Sequence, residues 1–561
     1  MWNKSRLVKI LSAFLMPLLL LLLTYWQVGL YPFGNHTVGY GDLANQYVAL
    51  MSYFKENFTN YHNFLYSFSF SLGGNFFPVF AYYLSSPINL VALLFPVKDM
   101  LLFFELNVVF NAGLSGLTMY LYLTNSMWLN KNISSKNSTL STVITLALST
   151  SFALSAFFFD YSRCAMWFNA IAILPLVLWG LEKLIILKKP TLYIVTFSFL
   201  LLSNYYIGYI VTLFLVIVII FWIIDSLLLS KNKIRTTFYR SCYILWSSLL
   251  PLMISAIYII PSMLAQQNVN QEKIENSFKG MYKLSDLGPA MFPNIRPLNV
   301  PVIYTSLLVL VAIILYIVAR KTTIKVSEKI LSGLLLVVLF LSSWFTNTYM
   351  VWHVFTMPNG YPNRETFVIS FVLVAIAYRG IQAYLSDGNI LQCLLAGCIT
   401  VAFFGLCVLK TGYFGARQVI LISLVIVFYF IVLLFSNKYR GKLGMLLSLA
   451  VLLLLIFDIG YGNSRQMKYL AGASTDLDAY QRVVSKNKKV IDQVKSSSHN
   501  FSRLATTYQI NPNDPLQFDY NGVQNYLSQQ STELTDFLSA TGYFQKHSWL
   551  RWSTYNREIL K

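Results

Sequence analysis

The sequence predicts an all-α polytopic membrane protein with about thirteen transmembrane helices, and three observations carry this prediction. Hydrophobic residues make up 56% of the 561 residues and charged residues only 11%, whereas a soluble globular chain carries about a quarter charged residues. Apolar runs of roughly 20 residues recur from Leu7 to Tyr461, and each is long enough to cross a hydrocarbon core of about 30 Å. The runs are continuous rather than alternating, which favours helices over a barrel.

The apolar runs place each span along the chain. The first run has a basic start, as a signal peptide does, but it is too long for an h-region and no small-residue cleavage motif follows closely, so we interpret it as a retained span. The predicted spans lie near residues 7–30, 100–123, 140–159, 165–186, 191–203, 206–229, 241–264, 301–319, 330–349, 366–378, 390–409, 417–435 and 443–461.

The basic residues behind the net charge of +20 are distributed unevenly among the connections between these spans. Seven short segments hold twenty of the 42 Lys and Arg residues, while the alternate, longer segments before residue 462 hold only ten. Basic residues concentrate on the cytoplasmic side of membrane proteins. The pattern therefore predicts a multi-pass protein of the cytoplasmic membrane with a cytoplasmic N-terminus and an extracellular C-terminus. It also predicts that the protein does not bind nucleic acid.

Two regions outside the spans stand out. We divide the chain into a transmembrane domain, 1–461, which includes a first extracytoplasmic loop at 31–99, and an extracytoplasmic soluble tail, 462–561, expected to fold as a small α/β region. In the first loop, apolar residues recur at helical spacing over 43–58, and Pro87 opens a second short apolar helix. We expect both helices to lie along the membrane surface.

The sequence contains no pattern typical of a metal-binding or nucleotide-binding site. The chain has no Gly-rich nucleotide loop and no Ser/His/Asp arrangement that stands out, and we predict no cofactor and no metal. The cysteines lie in or at the ends of spans without metal-ligand spacing, so we interpret them as small packing residues rather than disulfides. They are Cys164, Cys242, Cys393, Cys398 and Cys407.

Asp42 is the first candidate for chemistry on the outer side. It directly precedes the predicted loop helix, so one interpretation is an N-cap, a position at which aspartate is favoured. The other interpretation is a general base that takes a proton from an acceptor hydroxyl in a membrane-proximal pocket. The local pattern leaves both open.

Two further connections supply the remaining candidates. Asp160 and Arg163 form a turn between spans, which is either solvated or places Arg163 against an anionic headgroup, because a guanidinium matches phosphate geometry. The loop 352–365 contains His353 and Arg364, between which Pro358, Gly360 and Pro362 fix a shaped turn. His353 is either an interfacial hydrogen-bonding residue or a binding residue, and Arg364 either pairs with Glu365 or binds substrate.

Several ordered motifs resemble the YfhO family of bacterial membrane proteins. They are Gly41-Asp42-Leu43-Ala44-Asn45-Gln46-Tyr47, Leu72-Gly73-Gly74-Asn75 with Tyr82-Tyr83-Leu84-Ser85-Ser86-Pro87, Trp167-Phe168-Asn169, and Pro358-Asn359-Gly360-Tyr361-Pro362-Asn363-Arg364. The resemblance covers the membrane part and extends into the tail.

This family is similar to GT-C type glycosyltransferases, and the resemblance implies a function. Such enzymes use a polyprenyl-phosphate sugar on the outer side of the membrane and carry an essential acid in the first external loop, where Asp42 lies. The implied reaction is an inverting transfer to lipoteichoic acid or another wall polymer of Gram-positive bacteria. The implied substrate-binding residues are Arg163, His353, Asn359, Arg364 and Asp160, and the implied partners are the donor, the acceptor polymer and membrane lipid.

Two other classes of function remain open. A lipid-linked saccharide flippase would need polar groups along a path through the membrane, and ion-coupled transporters place ionisable groups near the middle of the bilayer. The predicted spans carry acids only toward their ends, which weakens this alternative. A non-catalytic scaffold for wall assembly would instead depend on the tail.

Overall fold

The structure is a computed structural model, and it describes residues 4–131, 138–229, 234–267, 279–295, 299–358, 360–436, 442–497, 501–506, 508–527 and 531–540. Within these ranges the regular structure is helical, and strand pairing is limited to isolated bridges. The predicted all-α polytopic fold is confirmed. The α/β prediction for the tail is not met by its described residues, whose elements are the helices Leu477–Ser497, Asp514–Phe518 and Thr532–Ala540.

Eleven helical segments of the described chain are long and apolar enough to cross a membrane. They coincide with eleven of the thirteen predicted spans. Their bounds are Lys4–Val28, Val97–Asn125, Thr139–Asp160, Ser162–Leu187, Tyr205–Leu228, Ile234–Gln266, Val326–Trp344, Thr366–Asp387, Ile390–Thr411, Ala416–Phe435 and Lys442–Ala473.

The other two predicted spans, 191–203 and 301–319, correspond to the shorter apolar helices Thr191–Ser203 and Leu307–Val318. Helices of 13 and 12 residues rise only about 20 Å, less than the hydrocarbon thickness. Residues Leu307 to Tyr316 are all buried in protein. The Asp458 carboxylate supports the start of this helix, because it accepts a hydrogen bond from the backbone N–H of Leu307 at 2.7 Å.

The helix Thr366–Asp387 runs through the centre of the bundle, where nearly all of its residues are buried. Its predicted span ended at residue 378, before Arg379. The helix instead continues, because Arg379 is neutralised where it is buried: its Nε donates to Glu328 at 2.8 Å and its Nη1 to the carbonyl of Leu129 at 3.2 Å. The positive charge of Arg379, which the charge pattern assigned to a connection between spans, therefore lies inside a helix.

The helix of the first loop is enclosed by protein rather than laid on the membrane surface. It begins as a π-helix, Leu43–Tyr47, and continues as Val48–Asn57. Residues Val48 to Phe54 are all buried, whereas an interfacial helix would leave one face open. The second predicted helix is a 3₁₀ segment, Pro87–Leu94, which follows the helix Phe77–Tyr83 at a bend of 98°.

The tail covers the first loop, and this contact holds the loop in place. The backbone N–H of Leu477 donates to the carbonyl of Asn35 at 2.8 Å, and that of Thr475 to Gly39 at 2.9 Å. Farther along, the side-chain amide of Asn511 donates to the carbonyl of Ala44 at 2.6 Å. The described tail residues therefore form one wall over the segment that carries Asp42.

The prediction that the cysteines are packing residues is confirmed for three of the five, while Cys242 and Cys398 are exposed. All five thiols are free, and Cys164, Cys393 and Cys407 are buried.

Candidate functional site

The candidate site lies at one end of the helix bundle, which we call the site face. Three connections meet there: the start of the first loop, the turn Asp160–Arg163 and the loop 352–365. An alanine Cβ at Gly41 would lie 3.4 Å from the Tyr361 hydroxyl and 3.7 Å from Cδ of Arg163. The structure thus brings together the three connections that the charge pattern assigned to one side of the membrane.

Asp42 does not act as an N-cap. Its backbone is already helical, and its side chain makes no capping hydrogen bond. The carboxylate instead accepts hydrogen bonds from the Gln46 amide at 3.3 Å and from the Tyr361 hydroxyl. Gly41 makes this turn possible, because its φ of +57° is strained for any residue with a Cβ. The N-cap interpretation is therefore wrong, and the carboxylate faces the other two connections.

Burial is the main influence on the charge of Asp42. Desolvation raises the pKa of this carboxyl above its ordinary value, while the hydrogen bond from Tyr361 and the positive charges of Arg163 and Arg364 oppose the rise. Burial also raises the pKa of the Tyr361 phenol, so Tyr361 stays protonated as a donor. Asp42 is thus a base stronger than a solvated aspartate, next to two cations.

Arg163 lies between two aromatic faces. Its guanidinium carbon lies 4.6 Å from the centre of the Tyr361 ring and 5.3 Å from that of Tyr40. Such contacts orient a cation without neutralising it. Its Nε is buried and lacks a hydrogen-bond partner among the described residues. A buried unpaired donor is costly, and an anionic ligand would satisfy it.

Arg364 is anchored by the loop that carries it. Its Nε donates to the carbonyl of Tyr361 and one Nη to that of Gly360, both at 3.0 Å. The guanidinium also lies over the ring of Trp167, at 5.4 Å from its centre. Arg364 therefore shapes the loop as well as contributing charge to the site.

Glu365 faces His353 rather than solvent. Its carboxylate oxygen lies 3.3 Å from Nε2 of His353, and both side chains are 1% exposed. On its other side, His353 Nδ1 is 2.7 Å from the Tyr206 hydroxyl, which lies 3.4 Å from Nη1 of Arg364. A chain of polar contacts thus leads from a buried acid to a site arginine.

Burial lowers the pKa of His353, and the neighbouring Glu365 only partly offsets this. The imidazole is therefore mostly neutral near pH 7, and it orients Tyr206 rather than supplying a charge. His353 is thus a supporting residue of the site, which fits the hydrogen-bonding interpretation.

A cavity of about 420 Å³ opens beside this cluster. Asp160 lines it together with Arg163 and Tyr361, and Tyr469 and Gln466 line its wall from the last long helix. Asp42 is not among the lining residues, but Tyr361 and Arg163, which both influence its carboxylate, line the cavity. Asn359, the remaining predicted binding residue, lies outside the described residues.

Where residues are described, no three His, Cys, Asp or Glu side chains come together in a way that could hold a metal ion. The reaction's independence of metal stays a prediction.

Comparison with known families assigns the chain. A family model described as bacterial membrane protein YfhO matches residues 12–560, nearly the whole length. The chain belongs to the YfhO family. No curated protein and no solved structure matches the chain. With its eleven long apolar helices, this YfhO-family chain is a multi-pass membrane protein.

Sequence reasoning missed two residues of this YfhO-family site. Tyr361 belongs to the motif at residues 358–364, which we interpreted only as a turn. An aromatic hydroxyl between Gly360 and Pro362 is unusual enough to have marked it as a candidate site residue. Tyr206 lies at the start of the long helix Tyr205–Leu228, a position at which aromatic residues are common in membrane proteins. Its contacts with His353 and Arg364 join parts of the chain that no local pattern connects.

Proposed function

We propose that this protein is a membrane glycosyltransferase that moves a sugar from a polyprenyl-phosphate donor to a cell-envelope acceptor, such as lipoteichoic acid or another wall polymer, on the outer face of the cytoplasmic membrane. The observation that carries the proposal is the proximity of a partly buried carboxylate, Asp42, to the positive charges of Arg163 and Arg364 at one end of the helix bundle. A transfer from a lipid phosphate needs both a base and a cation.

The proposed step is a direct displacement. The acceptor hydroxyl oxygen forms a bond to the anomeric carbon while the bond from that carbon to the phosphate oxygen breaks. Asp42 takes the hydroxyl proton, and the lipid phosphate leaves with the bonding electron pair. Because the acceptor attacks from the side opposite the leaving group, the anomeric configuration inverts. No nucleotide is needed, since the phosphate bond supplies the activation.

The two arginines have different parts in this proposal. Arg163, with its unpaired buried Nε, would bind the phosphate and stabilise the charge that develops as the sugar leaves. Arg364 would add charge and hold the loop 360–364 against Asp42 through its backbone hydrogen bonds. His353 and Tyr206 would keep Arg364 in position, and Asp160 would border the acceptor space.

Reconstitution tests the proposal against a flippase. The full chain in vesicles would receive a polyprenyl-phosphate sugar, with or without a polymeric acceptor. We expect sugar to appear on the polymer, and without acceptor we expect no protein-dependent movement of donor between leaflets. Donor movement without any transfer would overturn the proposal and favour the flippase.

A further inference from the structure

A second cavity lies between the first loop and the tail, separate from the cluster around Asp42. Its volume is about 540 Å³, within the range of small-molecule sites. Tyr53, Ser67 and Phe68 line it from the loop, and Lys495, Arg503 and Asn521 line it from the tail. We call this space the tail cleft.

Hydrogen bonds hold both walls of the tail cleft in place. On the loop side, the Tyr53 hydroxyl donates to Ser67 Oγ at 2.7 Å. Across the cleft, the Arg503 guanidinium donates to the carbonyls of Ser71 at 3.0 Å and Leu72 at 2.7 Å, so a tail residue fastens directly to the loop. The cleft is therefore a preformed space.

Its chemistry is polar and cationic. Lys495 and Arg503 contribute two positive charges, and Asp519, which pairs with Lys495 at 3.3 Å, contributes one negative charge. Hydroxyl and amide groups of Ser67, Ser502 and Asn521 offer donors and acceptors. A chain rich in hydroxyl groups would exchange its hydrogen bonds with water for these, and an anionic group on it would meet the surplus positive charge.

Exposed aromatic rings border the cleft. Phe68 is 41% exposed and Phe501 is 63% exposed, and their ring centres lie 4.9 Å apart. The guanidinium carbon of Arg503 lies 5.7 Å from each ring centre. Exposed apolar faces beside polar groups suit ligands that have both kinds of surface, as sugar and polyol units do.

The position of the cleft relates it to Asp42. The helical segments Leu43–Tyr47 and Val48–Asn57 run without a break from Asp42 to Tyr53, a distance of roughly 16 Å at the α-helical rise of about 1.5 Å per residue. A chain of several units is therefore long enough to extend from the cleft to Asp42.

We propose that the tail cleft binds a polyhydroxylated, phosphate-bearing chain. In terms of the proposed function, on which this part rests, that chain is the distal portion of the acceptor, and the cleft sets how tightly the acceptor is held. Arg503 and Lys495 are binding residues and have no part in the chemical step.

Direct binding to the full chain in nanodiscs tests this proposal without catalysis. The probe is a fluorescent poly(glycerol phosphate) oligomer, and dextran of equal length serves as the neutral comparison. We expect Arg503→Gln and Lys495→Gln each to raise the probe Kd at least tenfold. Arg482→Gln, the same change on an exposed tail arginine, should leave the Kd unchanged. Asp42→Asn should bind the probe as the unaltered protein does.

Three results would overturn the proposal: unchanged probe affinity in both cleft variants, equal affinity for dextran, or loss of probe binding to competing phosphatidylglycerol micelles, which would make the cleft a lipid site. Lys495 is exposed, so its variant keeps the test valid even if Arg503→Gln lowers the melting temperature. If transfer occurs and depends on Asp42 while the cleft variants bind normally, the cleft proposal fails and the proposed function stands. If the cleft variants lose probe binding as expected but no transfer depends on Asp42, the proposed function fails and the cleft proposal stands.

Discussion

The carboxylate of Asp42 is subject to two opposing influences at the residue scale. Burial favours its neutral form, whereas Tyr361, Arg163 and Arg364 favour its charged form, and burial prevails. A base in this setting accepts a proton more readily than a solvated aspartate but is still ionised over a useful pH range.

The pH dependence of kcat/KM should report this balance. Activity requires ionised Asp42, so it is present above the carboxyl pKa and is lost as the pH falls through it. Because that pKa is raised, we expect the acid limb above the ordinary aspartate value of about 3.9. Tyr361→Phe removes a donor to the charged form and should move the limb to still higher pH. A limb that moves to lower pH in this variant would contradict the assignment.

The two arginines should respond differently to replacement. Arg163→Gln removes a charge held by aromatic faces, so we expect kcat to fall by about 10²-fold with little change in melting temperature. Arg364→Gln also removes hydrogen bonds to the carbonyls of Gly360 and Tyr361, so it should lower stability by about 1–3 kcal/mol as well. Paired kinetic and thermal-unfolding measurements check this; equal melting temperatures for the two variants would contradict it.

Local sequence allowed Asp42 to be found but not explained. An aspartate directly before an amphipathic stretch fits an N-cap, and only its tertiary partner Tyr361, from a distant loop, shows why the carboxylate is used differently. Arg163 and Arg364 were found because charged residues are rare in this chain. Glu365 was named only as a partner for Arg364, and its contact with His353 is a feature of the fold.

At the scale of single elements, long apolar runs predicted the helices well because their length is fixed by the bilayer. The predictions were wrong for helices that are surrounded by protein instead of lipid. Leu307–Val318 is short because it is enclosed by other helices, and Thr366–Asp387 extends past Arg379 because Glu328 neutralises that charge. The enclosed helix of the first loop is a third case: Tyr47, on its apolar face, packs against Tyr83 and Phe104, while the tail contacts the carbonyls of Ala44 and Asn45.

The tail should hold the helix that follows Asp42. The Asn513 amide donates to the carbonyl of Asn45 at 2.7 Å and its oxygen accepts from the N–H of Tyr526 at 2.8 Å. Asn513→Ala leaves buried groups unpaired, so we expect a loss of about 1–3 kcal/mol in stability and a lower kcat as the Asp42 segment loosens. Limited proteolysis and kinetics measure both effects.

Asn487→Ala is the matched control, the same change on a half-buried asparagine of the helix Leu477–Ser497. The Asn487 side chain donates to the carbonyl of Val483 and accepts from the hydroxyl of Tyr508, so both hydrogen bonds stay within the tail. We expect this variant to keep the kcat of the unaltered protein. Equal protease resistance and equal kcat in the Asn487 and Asn513 variants would show that the tail does not hold the Asp42 segment.

At the scale of the whole molecule, the distribution of charge predicts the orientation. The site face should be extracellular, with the N-terminus in the cytoplasm. An epitope fused after Lys561 should therefore be stained by antibody on intact protoplasts, and the same epitope fused before Met1 only after permeabilisation. Staining in the opposite order would place Asp42 in the cytoplasm, away from the proposed donor and acceptor.

The docking of the tail on the first loop marks the limit of prediction from sequence. The contact from Asn511 to Ala44 joins residues 467 positions apart, and no periodicity or local motif reports such a pairing. Composition predicted the membrane domain, and the distribution of basic residues predicted that the three connections of the site lie on one side of the membrane. The tail cleft depends on both parts of the chain and is visible only in the structure.

Replacement of Asp42 by asparagine tests the central claim most directly, with transfer of sugar to polymer measured on purified protein in nanodiscs. Asparagine is nearly equal in size but cannot take the proton, and the absence of a capping bond means that the helix does not need the acid. We expect the rate to fall by about 10²–10⁴-fold at an unchanged melting temperature, while Asp286→Asn, an acid outside the cluster, keeps the full rate. An undiminished rate in Asp42→Asn would contradict the assignment of Asp42 as the base.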